Sequence, residues 1–226
     1  TFWLYIYFTI DFFLHLSKRI PGYGIIRPSL LLVVILIILL ISQKDKFSGI
    51  SDDPVFKKIK KLILYLVITL PFVTWPGSVL INNLPEFVKA VVFFFFTTLI
   101  IDTEKRLTIF LLIFISCQVF RVFEPLYMNI TSGYWGDRTY LGSGEFAARL
   151  SGAPSDIVNP NGLGFIIVTA IPYLYYLIWL SPRKLLKLLF LIILPLLIYA
   201  LVLTMSRGAF LALLVILWMI FKESKR

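Results

Sequence analysis

Apolar residues along this chain come in long blocks, and polar residues are mostly confined to the shorter stretches between them. Inside lipid only helices and closed barrels satisfy their own backbone, and barrel strands alternate, so blocks predict helices. Eight blocks are candidate spans: Phe2–Leu16, Pro28–Ser42, Leu62–Thr74, Phe87–Ile101, Leu107–Phe120, Gly162–Leu180, Leu185–Leu203 and Gly208–Phe221. Several are shorter than the roughly 20 residues a bilayer core needs. Flanking aromatics and snorkelling lysines extend them, while Pro71 and Pro76 bend or end a helix at Leu62–Thr74. The predicted class is an all-α, polytopic transmembrane helical bundle of about eight spans, with residues 1–226 in one membrane domain.

Composition agrees with that class. The chain is 59% hydrophobic and 15% charged, whereas a soluble domain carries about 25% charged residues. The net charge of +10 invites a nucleic-acid reading, but its lysines and arginines sit between apolar blocks, where the positive-inside rule explains them. One set of alternate stretches (Lys44–Lys61, Lys105–Arg106, Arg183–Lys187, Lys222–Arg226) holds 14 of them and the other set holds 8. The richer side is expected to be cytoplasmic, which puts both ends of the chain inside and Arg207 on the outer face. Cys117 is the one cysteine, so no disulfide forms within the chain. The chain opens at Thr1 and stops directly after an apolar block, as expected of a piece of a longer protein.

Four places carry candidate chemistry. Arg207 stands between two apolar blocks in Thr204-Met205-Ser206-Arg207-Gly208, and arginine beside hydrocarbon is costly enough to imply a role. A glycine at a helix start lets the backbone approach a ligand, free N–H groups there favour anions, and a guanidinium forks onto phosphate. The alternative is an arginine snorkelling to headgroups from a tight turn. In Asp156-Ile157-Val158-Asn159-Pro160-Asn161-Gly162, Pro160 disfavours helix at Asn159 and Asn161 caps the helix that runs from Gly162. Both amides would also bind sugar hydroxyls or a pyrophosphate if they faced a cavity. The outer loop Arg121–Asn161 carries Arg138 and Arg149, which either clamp a diphosphate or pair with Asp137, Glu145 and Asp156. The turn from Lys18 and Arg19 to Arg27 faces headgroups or a lipid-linked phosphate. His15 lies four residues after Asp11, on one helix face, as a buried polar pair or a proton relay. Two such residues make no complete metal site, and no metal or cofactor is expected. No phosphate-binding loop, dinucleotide fingerprint or hydrolase elbow occurs.

Four segments, taken in order, resemble the O-antigen ligase-like family of bacterial O-antigen polymerases, O-antigen ligases and O-glycosylation ligases. Ser17-Lys18-Arg19-Ile20-Pro21-Gly22-Tyr23-Gly24-Ile25-Ile26-Arg27-Pro28 resembles its opening hairpin, and Pro85-Glu86-Phe87-Val88-Lys89-Ala90 the entry to a later span. Arg149-Leu150-Ser151-Gly152 followed by Asn159-Pro160-Asn161-Gly162 resembles its R-x-x-G … D-x-N stretch, with Asn159 standing where Asp is common. Thr204-Met205-Ser206-Arg207-Gly208-Ala209 resembles its T-x-S-R-G signature. The resemblance covers nearly the whole chain and corresponds to the N-terminal portion of family members. Their large outer loop, with the histidine usually assigned to catalysis, follows beyond that portion, and His15 does not match it.

The resemblance implies a glycosyltransferase of lipopolysaccharide or polysaccharide biosynthesis in the bacterial inner membrane. Such an enzyme transfers a glycan from an undecaprenyl-diphosphate donor to a lipid, glycan or protein acceptor, without metal and with inversion. Arg207 and Arg149 would then bind the donor phosphates, with Asn161, Asn159, Ser206 and Arg138 as further substrate-binding candidates. Two alternatives stand beside this: a lipid-linked oligosaccharide flippase or transporter, and a non-catalytic truncated membrane protein.

Overall fold

A computed structural model describes residues 1–43, 53–142, 145–179 and 181–224. Lys44, Lys46, Lys225 and Arg226 of the charge asymmetry, and Leu180 at the end of one expected span, lie outside the described residues. The chain divides into two compact units, residues 1–8 with 28–107 and residues 9–27 with 108–226.

In the first unit the start of α1 (Phe2–Leu14) packs with helices drawn from residues 28–107. After a four-residue α2 (Leu16–Arg19) in the second unit come α3 (Pro28–Ile41) and α4 (Pro54–Thr69). Helix α3 buries Leu32, Leu36 and Leu40, one face at i, i+4, i+8. Asp53 starts α4 by accepting the Val55 and Phe56 N–H groups at 2.7 and 3.0 Å. The short α5 (Pro76–Ser78) leads through a π turn into α6 (Leu84–Ile100). Tyr5 is fully buried among Phe8, Phe93 and Phe96, and its hydroxyl shares a 2.5 Å hydrogen bond with Thr97.

The second unit holds most of α7 (Glu104–Ser132), the strands β1 (Gly136–Gly142) and β2 (Glu145–Leu150), and α8 (Pro160–Leu174), α9 (Lys184–Thr204) and α10 (Arg207–Ser224). Its core is a zipper of Leu163, Ile167, Ile171 and Leu174 on α8 with Leu197 and Leu201 on α9, closed by Val122 and Leu126 of α7. Helices α8 and α10 approach closely through Gly164: a Cβ there would lie 2.7 Å from that of Ala209 and 3.2 Å from that of Ser206. Gly164→Val is therefore expected to lower stability by about 1–3 kcal/mol through overpacking, read as a lower Tm in detergent. An unchanged Tm would contradict the close approach.

The helical class stands; the expected count of eight spans does not. Among the described residues Tyr23–Ile41, Glu104–Ser132, Pro160–Trp179 and Lys184–Thr204 are long and apolar enough to cross a membrane. A fifth follows if Pro76–Asn83 and Phe87–Ile100, bent by 41°, form one span. Helix α1 has only 13 residues, α4 carries Lys57, Lys58, Lys60 and Lys61 in its 16, and α10 carries Arg207, Lys222 and Glu223 in its 18. The loop expected over Arg121–Asn161 is also shorter. Helix α7 continues to Ser132, because the charges that interrupt its apolar pattern find partners: Arg121 with Asp156, and Glu124 with Arg19. The remainder contains an antiparallel hairpin that an all-α reading omits.

Candidate functional site

The segment 204–208 is a corner between α9 and α10 in which short polar groups tie up one another. Thr204 Oγ1 donates to the Leu201 carbonyl at 2.7 Å and accepts the Ser206 N–H at 3.3 Å. Met205 takes left-handed backbone (φ 49°) and its N–H donates to Val202 O, ending α9 where glycine is the commoner choice. Ser206 caps α10, its Oγ accepting the Ala209 N–H at 3.4 Å and its carbonyl the Phe210 N–H at 3.1 Å. Thr204 and Ser206 are buried, while Arg207 and Gly208 are exposed. Among the described residues the Arg207 guanidinium has no hydrogen-bond or ion-pair partner.

Strand alternation brings a second arginine to this corner. In the hairpin register Asp137 faces Arg149, Arg138 faces Ala148 and Thr139 faces Ala147, so Asp137, Thr139, Ala147 and Arg149 share one face and Arg138 takes the other. Arg149 Nε donates to the Thr204 carbonyl at 2.9 Å, Nη2 to Asn161 Oδ1 at 2.8 Å and Nη1 to Thr139 Oγ1 at 3.4 Å. The first bond caps a carbonyl left over at the end of α9. All three acceptors are neutral, and among the described residues no carboxylate lies within ion-pair distance of Arg149.

Asn159 and Asn161 divide their work across the start of α8. Asn159 is the N-cap, its Oδ1 accepting the Gly162 N–H at 2.7 Å, and Pro160 fills the first helical position, where a missing N–H costs nothing. Asn161, the cap expected from the sequence, lies instead inside the first turn, because Pro160 already starts the helix, and turns its side-chain carbonyl to Arg149.

These elements surround a cleft of about 710 Å³. Arg149, Asn161, Ser206, Arg207, Gly208 and Thr139 form its polar part; Ala147, Phe165, Val168, Met205, Ala209 and Ala212 form the rest. No carboxylate lines it. The N-terminal ends of both α8 and α10 are at the cleft, adding partial positive charge to two guanidiniums. An anion attached to an apolar body suits such a lining.

No family model, curated protein or solved structure matches the chain. Any functional reading therefore rests on the cleft and on the motifs that build it.

Of the residues singled out from sequence, Arg149, Asn161, Ser206 and Arg207 meet in the cleft. Asn159 acts as a helix cap beside it. Arg138 is exposed on the opposite face of the hairpin, so the structure brings Arg149 together with Arg207 and not with Arg138. Ser206 keeps its hydroxyl inside the corner. The expected helical relation of Asp11 to His15 ends at Leu14, because His15 adopts left-handed backbone (φ 51°) and sets Nδ1 3.7 Å from Asp156.

Two features escape a reading of the sequence. Thr139 and the apolar wall of Phe165, Val168 and Ala212 carry no motif; only the period-2 pattern of β1 or the i, i+3 spacing along α8 and α10 would draw them out. The second is a buried ion pair. Arg121 Nε and Nη2 fork onto both Asp156 oxygens at 2.5 and 2.9 Å, and Gln118 accepts from Nη1 at 3.1 Å. That pair ties α7 to the segment leading into α8.

Proposed function

We propose that this chain is the donor-binding part of an envelope glycan transferase of the O-antigen ligase or polymerase kind. Its donor is a glycan carried on undecaprenyl diphosphate at the outer face of a bacterial inner membrane, with both ends of the chain cytoplasmic. The observation that carries the reading is a cleft lined by two arginines, Arg149 and Arg207, with no carboxylate among its lining residues and an apolar wall beside them. The arginines hold the diphosphate, and the wall accommodates the first isoprene units. As the glycosidic bond breaks, negative charge grows on the phosphate oxygens, and preorganised guanidiniums stabilise that charge more than the ground state. The lysine asymmetry along the sequence supports the same side for the cleft and the donor.

The test is a vesicle assay. The protein is reconstituted with labelled undecaprenyl-diphosphate-linked glycan and candidate lipid, glycan and protein acceptors. Transfer of label supports the proposal. Label crossing the bilayer without transfer identifies a flippase or transporter, and neither event removes catalysis from this chain.

A further inference from the structure

We infer that Asn161 is a positioning residue that fixes Arg149 without discharging it, and that its amide N–H₂ supplies a further donor to the diphosphate. The inference rests on the cleft being an anion site. An arginine placed beside a ligand is floppy unless something holds it, and the usual holder, a carboxylate, would cancel the charge the ligand needs. In this cleft the holders are the Thr204 carbonyl, the Thr139 hydroxyl and the Asn161 amide oxygen, each neutral. Asn161 contributes the shorter of the two side-chain contacts, at 2.8 Å against 3.4 Å for Thr139.

The orientation of that amide has a second consequence. With Oδ1 committed to Arg149, the N–H₂ end is left to donate, and Asn161 is exposed in the cleft that also holds Arg207. Among the described residues no protein acceptor takes those hydrogens. One side chain thus accepts from a cation and offers hydrogens to an anion, which aspartate cannot do. Asp137, the register partner of Arg149 on β1, is the near acidic group, and it accepts the Arg138 backbone N–H at 2.8 Å.

Asn161→Asp and Asn161→Ala separate this role from a structural one. Position 161 is in the first turn of α8, where a carboxylate interacts favourably with the helix dipole, and a carboxylate there would also pair with Arg149. Asn161→Asp is thus expected to leave Tm unchanged or raise it, and Asn161→Ala to lower it. Affinity for inorganic diphosphate, measured by equilibrium dialysis in detergent, is expected to run the other way. The Asp variant loses about tenfold or more and the Ala variant less, because both lose the amide donor, alanine leaves Arg149 unheld but charged, and aspartate holds Arg149 while cancelling its charge. Affinity losses that simply follow Tm, with the Ala variant worse than the Asp variant, would overturn the inference. Wild-type protein that binds no diphosphate would sink the anion-site reading itself, whereas binding by the wild type undiminished in the Asp variant would sink only the role of Asn161.

Discussion

Arg207→Lys is expected to weaken diphosphate binding by about tenfold to a hundredfold and to remove most transfer activity, with the fold intact. Two parallel charge-assisted hydrogen bonds from a guanidinium become one point charge on a flexible stem, and such bonds are worth about 1.5–3 kcal/mol each. The variant is a clean test because Arg207 holds nothing else: it is exposed, and among the described residues its guanidinium has no partner. Its neighbours Thr204 and Ser206 build the corner without it. Arg149→Lys is a poorer probe, since losing the bond to the Thr204 carbonyl disturbs the end of α9 as well as the site. Diphosphate binding and vesicle transfer at matched Tm are the measurements. A folded Lys variant with wild-type values in both would remove Arg207 from the site.

Asp156→Ala is expected to be the most destabilising single change in the second unit, by about 3–5 kcal/mol. Asp156 is 1% exposed and Arg121 is 8% exposed, so removing the carboxylate leaves a guanidinium buried without its counter-charge. Gln118 remains, but one neutral acceptor does not replace two carboxylate oxygens. Replacing both partners by apolar residues of similar volume, Arg121→Met with Asp156→Leu, is expected to recover much of the loss, because no buried charge then remains. Unfolding in detergent followed by circular dichroism reads both. A single variant as stable as the wild type would show that the pair is relaxed or hydrated rather than buried. The double variant also reports on the cleft: the segment that Asp156 anchors runs directly into Asn159 and Asn161.

Much of the site is legible in the residues. The sequence places a helix start at Gly208, and α10 begins one residue earlier, at Arg207. Pro160 reads as a boundary before α8, but the cap is Asn159 and not the expected Asn161, because Pro160 itself fills the first helical position. These are local signals, set by backbone sterics and unpaired N–H groups within one turn. Arg138 is misplaced by such a reading because two arginines in one loop look alike, whereas a hairpin register sends Arg138 and Arg149 to opposite faces. Eight spans are not supported, because among the described residues only four helices, or five with the bent pair, are long and apolar enough to cross a membrane. The charges flanking the blocks of α4 and α10 fall within those helices.

Hydropathy and the chemistry of chain neighbours are enough to specify the helical membrane class and the helix boundaries at Pro160 and in the 204–208 junction. Packing had to choose the rest: that Arg149 joins Arg207, that Asn161 holds Arg149, and that Arg121 meets Asp156 across 35 residues. Those contacts join residues far apart in the chain, and strand register and helix packing, not local preference, select which charges meet.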